Sequence, residues 1–193
     1  MRELRAAQAP RRRTRRPGER VGQLLESAAI LFARDGYSST RVSDVCQAAG
    51  LSVGTFYLNF EDKADLITQL IEIASEEVPT FDASSRPTFE RQVCDYVRSP
   101  NALIWKAWRE AILVEPRLRP TGVRVRSLLA FRFEQWIRDV RMARAIERSA
   151  IDDRTAAWLL LAAMREMIIL DSGEPLSHTV SVTRALWRVL FAP

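Results

Sequence analysis

From Gly18 onward the apolar positions take up a helical period. Val21, Leu24, Leu25, Ala28, Leu31 and Phe32 fall on one stripe, which predicts a first amphipathic helix. Arg34-Asp35-Gly36 ends it, Gly36 being suited to the left-handed position after a helix. Ser38-Ser39-Thr40 then supplies hydroxyls of the kind that cap a helix start, and Val42, Val45, Cys46 and Ala49 repeat the stripe over barely two turns. Gly50 stops that second helix, Leu51 can plug inward, and Ser52 is placed to cap a third helix running to about Asn59. Asp62 can cap a fourth, which continues through Leu66, Leu70 and Ile73.

The turn Ala49-Gly50-Leu51-Ser52 joins two helices too short to be stable alone. A glycine there allows a positive φ, and the spacing sets the third helix across the second as a helix-turn-helix over residues 41–60. Phe56 and Phe60, four apart, face inward, whereas Val53, Gly54, Thr55, Tyr57 and Asn59 are small or polar-tipped. A helix held by its neighbours with such a face outward has its N-terminus available to a DNA major groove.

Beyond a turn-rich link at Thr80–Pro87 the pattern predicts helices at about 88–98, 101–114, 121–148, 152–170 and 175–191. The longest carries Leu129, Phe133, Trp136, Val140 and Ala143 at near-heptad spacing. No alternating strand pattern of useful length occurs, so the expectation is an all-α chain of about nine helices. The segment Trp158–Leu170 is apolar on nearly every face, broken only by Arg165 and Glu166. Such a helix must be covered all round, and a partner subunit is an economical cover for one side.

Charge changes the picture only when divided along the chain. The formal net charge of +5 resolves into +6 on residues 1–20, where eight Arg outnumber Glu3 and Glu19, and −1 on the rest. A run with Arg11, Arg12, Arg13, Arg15 and Arg16, two prolines and almost no large apolar residue is expected to be a disordered arm over residues 1–17. Three uses stay open for it: a nucleic-acid arm, a membrane-surface tether or a solvated tail. No apolar stretch follows the cations as a secretory leader requires, and no run reaches transmembrane length; a cytoplasmic chain without membrane insertion is expected. One histidine, His178, and two cysteines, Cys46 and Cys94, leave no multi-His metal site, catalytic dyad or disulfide scaffold to assemble.

The residues Leu31-Phe32-Ala33-x-x-Gly36-Tyr37, Thr40-x-Val42-x-Asp44-Val45 and Ala49-Gly50-Leu51-Ser52-x-Gly54-Thr55-Phe56-Tyr57-x-x-Phe60-x-x-Lys63-x-x-Leu66 resemble the DNA-binding domain of TetR/AcrR transcriptional regulators. The likeness covers roughly residues 18–68, about a quarter of the chain, and joins many fixed spacings. Cys46 stands where the family commonly has Ala, and Phe56 where Leu is commoner; both are apolar and of workable size.

The resemblance implies a DNA-binding domain at 18–68 and an effector-binding and dimerisation domain at 69–193. It assigns Thr40 and Ser52 to phosphate at helix starts, with Tyr57 and Lys63 beside them. Arg41, Ser43, Val53, Gly54 and Thr55, with Asn59 further along, face the groove; Arg41 suits guanine, and Val53 or Thr55 a thymine methyl. It further implies a palindromic double-stranded operator, a homodimer built on the last two helices, and a small apolar or amphipathic effector rather than a cofactor or metal. For the effector pocket the candidates are Trp105, Trp108, Phe131, Trp136, Trp158, Met164 and Met167; for the dimer, Leu160, Arg165, Val182, Leu186 and Val189. Arg165 and Glu166 suit either the partner or a polar ligand group. The rival readings are a helical adaptor or membrane-surface protein using the arm, and a helical-bundle enzyme, for which no phosphate loop or Glu-x-x-His pair is present.

Overall fold

The computed structural model describes residues 17–76, 80–146, 151–170 and 176–191. The arm's five arginines at 11–16 lie outside the described residues. Among those described there are nine α-helices and no strand: α1 (Pro17–Asp35), α2 (Val42–Ala49), α3 (Val53–Tyr57), α4 (Lys63–Glu76), α5 (Arg86–Val97), α6 (Pro100–Val114), α7 (Arg119–Ala143), α8 (Asp153–Leu170) and α9 (Leu176–Phe191). A 3-10 turn, Pro116–Leu118, joins α6 to α7.

The boundaries follow local chemistry. Gly36 ends α1 at φ 82°, and Gly50 ends α2 at φ 63°, both in the region that costs a side-chain-bearing residue energy. Ser85 and Ser99 cap α5 and α6 through their side chains, each with proline in the first turn where a missing N–H costs nothing. Helix α5 therefore starts at Arg86 rather than near Thr88, because Ser85 outcompetes the later hydroxyl. Helix α7 starts at Arg119 and ends at Ala143, earlier than the expected 121–148.

Two hydrophobic cores result. In the first, Leu24, Ala28 and Phe32 of α1, Val45 of α2, Phe56 of α3 and Ile67 of α4 pack with Ala107, Trp108 and Ala111 of α6 and Val125 of α7. The second gathers Phe89 and Val93 of α5, Phe133 and Ile137 of α7, Leu160 and Met164 of α8, and Leu190 and Phe191 of α9. Helix α7 contributes to both cores and so ties the chain together. The division expected after residue 68 falls inside α4, which runs on unbroken to Glu76, and the first core crosses it.

Arg141 locks the second core. It is only 7% exposed, donating from Nε to the Leu190 carbonyl at 3.0 Å and from Nη1 to the Ile151 carbonyl at 3.1 Å and Asp153 Oδ1 at 2.7 Å. A guanidinium so buried is tolerable because several acceptors converge on it, and it fixes α7 against the ends of α8 and α9.

Candidate nucleic-acid interface

The candidate reading head is α3, five residues long, which owes its position to the first core. Phe56 is fully buried and Phe60 nearly so, their rings 5.4 Å apart. Removing a side chain like Phe56 costs about 3–5 kcal/mol, more than a helix this short supplies by itself. The turn before it is closed by the Leu51 N–H donating to the Cys46 carbonyl at 2.9 Å and the Gly50 N–H to Gln47 at 3.1 Å. Ser52 Oγ accepts from the Thr55 N–H at 3.1 Å and lies 2.9 Å from the Thr55 hydroxyl, so both hydroxyls serve the helix start. Asn59 Nδ2 donates back to the Thr55 carbonyl at 2.7 Å and closes the far end.

What this leaves outward is a compact polar and apolar mixture. Ser52, Val53, Gly54, Tyr57 and Leu58 are exposed, as are Arg41 and Ser43 at the start of α2. Tyr57 stands edge-on to Phe56 at 5.2 Å with over half its surface in solvent. Leu58, 81% exposed, belongs to the same face and has no packing reason to be there. Arg41 holds the end of α2 through its backbone: its N–H donates to Asp44 Oδ2 at 3.0 Å, which keeps the guanidinium outside the capping arrangement.

Two residues expected to reach phosphate are instead committed within the protein. Thr40 is buried, its hydroxyl donating to the Gly36 carbonyl at 2.8 Å, because the tight turn after α1 leaves that carbonyl unpaired in the helix. Lys63 Nζ donates to the carbonyls of Tyr37 and Thr40 at 2.7 and 2.9 Å and lies 4.2 Å from the Tyr37 ring centroid. Its partial burial holds the amine below its ordinary pKa, against the pull of Glu110 and Glu115. Both residues brace the turn between α1 and α2.

That turn is also where the head meets the body. Glu110, on α6, accepts the Tyr37 N–H at 2.8 Å and the Ser38 N–H at 3.0 Å, one carboxylate oxygen to each. Partial burial would raise the Glu110 pKa, but those hydrogen bonds and nearby Lys63 hold it below the ordinary value. Asp62, at the start of α4, accepts from the Ala64 and Asp65 N–H groups and pairs with Arg117 at 2.5 Å. Arg124 pairs with Glu72, and Arg132 donates to the Ser75 and Glu76 carbonyls at 2.8 and 2.7 Å. Sequence reading placed Asp62 at the cap of α4 but missed the partners that join head to body, which lie 52 to 73 residues apart.

Inside the body is a cavity of about 280 Å³ walled by α4, α5, α6, α7 and α8. Three of the effector-pocket candidates, Trp105, Trp108 and Met164, line it, joined by Val125, Leu129 and Phe133. The other pocket candidates need correction. Phe131 is 58% exposed, because α7 turns residues 129 and 133 inward and 131 out. Trp136 stacks on Phe89, 6.3 Å between centroids, and Met167 is buried; both belong to the second core. Trp158 lies on a recess beside the cavity with Arg126, Leu161, Ala162 and Arg165.

Among the dimer candidates, Leu160 and Leu186 are buried inside this chain's own second core, 0% and 4% exposed, so their apolar surface is already used. Val182 and Val189 are half-buried on α9. Arg165 is exposed and pairs with Glu166 at 2.8 Å, so the two charges interrupting α8 face solvent and need no buried partner. The unpartnered face of α8 is instead Trp158, Leu159 and Ala162 with these two charges. No described helix is long and apolar enough to cross a membrane, and no group of three or more His, Cys, Asp or Glu among the described residues is arranged to hold a metal ion.

Comparison with known proteins bears on both halves. Residues 24–70 match the family profile of bacterial regulatory proteins, tetR family. The chain is 29% identical over 79 residues to the HTH-type transcriptional regulator AcrR of Shigella flexneri, covering 40% of this chain and 37% of that protein. It is 38% identical over 52 residues to the HTH-type transcriptional repressor KstR2 of Mycobacterium tuberculosis, covering 27% and 26%. A longer match, 21% identical over 176 residues, covers 78% of this chain and 89% of a fatty acid metabolism regulator protein from Bacillus subtilis. In fold, a Rhodococcus sp. protein assigned to the TetR family superposes with a TM-score of 0.72 at 21% identity, over 90% of this chain and 99% of that one. The spacing of residues 31–66, the buried Phe56 and Phe60 beneath an exposed α3, and the nine-helix order agree with these matches: residues 24–70 form a helix-turn-helix domain of the tetR family, and the described chain shares the fold of the Rhodococcus protein.

Proposed function

We propose that this chain is a transcriptional regulator that binds a palindromic operator as a homodimer, represses from it, and is released when a small apolar or amphipathic molecule enters the cavity of the body. The observation that carries the DNA part is the placement of α3. Its inner residues are buried while Ser52, Val53, Gly54 and Tyr57 are exposed at its outer and N-terminal end. Two such ends about 34–36 Å apart meet successive major grooves on one side of a duplex. Arg41 and Val53 are assigned to bases, Ser52, Ser43 and Tyr57 to the sugar-phosphate backbone, and Thr55 and Asn59 to holding α3 in shape.

Two features support the dimer: the exposed Trp158, Leu159 and Ala162 on α8, and the half-buried Val182 and Val189 on α9. A four-helix contact between copies would cover them and set the distance between reading heads. The repressor name carried by one relative supports the repressing sense, and a DNA-binding regulator works in the cytoplasm, where the chromosome is. Helix α6 supplies the coupling, because Trp105, Trp108 and Ile112 wall the cavity while Glu110 on the same helix holds the turn before α2. An effector shifts DNA affinity only through its preference for one position of that helix over another.

The test is selection of DNA from a random pool with the full-length chain, followed by gel shift and sedimentation. An inverted repeat bound by one dimer supports the proposal. A monomer bound to a single half-site, or no enriched sequence beside binding to anionic liposomes, rejects it.

A further inference from the structure

We propose that the cavity takes an amphipathic anion, its apolar chain between Trp105, Trp108 and Met164 and its anionic head against Arg126 and Arg165. This rests on reading the cavity as the effector site. The described residues lining it include three arginines, Arg109 on α6, Arg126 on α7 and Arg165 on α8, and no Asp, Glu, Asn, Gln, Ser, Thr or His. The polar selection is therefore all of one sign. All three arginines are exposed residues on three different helices, so their charges stand at the rim and the aromatic and aliphatic walls lie inside.

The interior adds a neutral polar group, the Tyr96 hydroxyl, and no charge. Trp105 Nε1 already donates to the Tyr96 hydroxyl at 3.2 Å, and burial holds that phenol in its protonated form above its ordinary pKa. Among the described residues no carboxylate pairs with Arg109 or Arg126. Arg165 has Glu166 at 2.8 Å, but both are at least half exposed and adjacent in sequence, a pair weak enough for a ligand carboxylate or phosphate to displace. The adjoining recess shares Arg126 and Arg165 with the cavity and adds the exposed face of Trp158, so the cationic rim continues outward to where a head group would lie. A guanidinium there can take two oxygens of one anion, whereas a cationic amphipath would meet three like charges, with Glu166 the one carboxylate paired to any of them among the described residues.

The experiment titrates the full chain with decanoate, decanol and decyltrimethylammonium, following tryptophan fluorescence, at low and high salt. Decanoate is expected to bind at least tenfold more tightly than decanol, with decyltrimethylammonium weaker still, and salt should weaken decanoate alone. The double variant Arg126→Gln/Arg165→Gln, changed at exposed positions so that its melting matches the parent, should bring decanoate down to the level of decanol. Equal affinity for decanoate and decanol overturns the inference, as does decanoate binding unmoved by the double variant. A gel shift on the selected operator separates the two claims. Decanoate that binds without releasing DNA keeps the anion site and removes the effector role, whereas release by decanol as strongly as by decanoate removes the anion preference.

Discussion

Glu110→Ala is the most informative single change to the fold. The carboxylate accepts two backbone N–H groups, from Tyr37 at 2.8 Å and Ser38 at 3.0 Å, at the turn that sets α2 against α1. Hydrogen bonds to a charged acceptor contribute about 1.5–3 kcal/mol each where no water replaces them. Ser38 is exposed and its N–H can turn to solvent, but Tyr37 is 1% exposed and its N–H loses more. A net loss of about 2–3 kcal/mol follows, or a fall in Tm of roughly 4–12 °C for a chain of this size. Scanning calorimetry and urea unfolding of the wild type, Glu110→Ala and Glu110→Gln measure it. The glutamine keeps one acceptor oxygen and should fall between the other two. A loss below about 0.5 kcal/mol for the alanine would refute the clamp, since surface substitutions away from such features stay within that range.

Other outcomes follow from the same geometry. Gly36→Ala should destabilise by about 1–2 kcal/mol from its φ of 82° alone, and further because the new Cβ would lie 2.8 Å from Glu110 Oε2; urea midpoints check the sum against Glu110→Ala, with which it should be non-additive. Glu110 and Asp62 are both held below their ordinary pKa values, so the native state binds fewer protons than the unfolded one and stability rises with pH. Their contribution is complete above the unfolded carboxylate range and is lost as pH falls through the lower native values; Glu110→Ala should flatten the urea midpoint between neutral and acid pH. Ser52→Ala should cost about 1 kcal/mol of cap energy and weaken operator binding more than it lowers Tm, read by anisotropy beside melting. Deleting residues 2–16 should weaken binding to all sequences alike and flatten the dependence of log K on log salt; an unchanged slope would leave the arm without phosphate contacts.

The head was legible in the sequence because its instructions are local. Gly36, Gly50, Ser52 and Asp62 act on groups within four residues, and Phe56 with Phe60 is a one-turn pattern. The residues that join head to body are not local: nothing near Glu110 announces that Tyr37, 73 positions earlier, will supply its donors. For the same reason Thr40 and Lys63 read as outward-facing while the fold turns them onto the carbonyls of one turn. In the body, spacing placed aromatic residues on helices but could not choose between two cores and solvent, so Phe131 and Trp136 were assigned to a cavity that neither lines. A helix apolar all round is also mute about which face its own domain takes; α8 gives Leu160 to the interior and leaves Trp158 and Leu159 outside. Nothing in the sequence sets Arg141 apart from the other arginines of α7, and only the meeting of three chain segments makes it a buried tie.

The central claim is that two copies of α3 read one duplex. Methylation interference on the selected operator, with the full-length chain and its Arg41→Ala and Val53→Ala variants, tests it most directly. Two sets of major-groove guanine contacts, centred one helical turn apart and related by a two-fold axis, are predicted, with Arg41→Ala losing matched guanines in both sets and Val53→Ala, at a thymine methyl, leaving the guanine pattern in place. Interference confined to one half-site, or a pattern unchanged by Arg41→Ala, would contradict it.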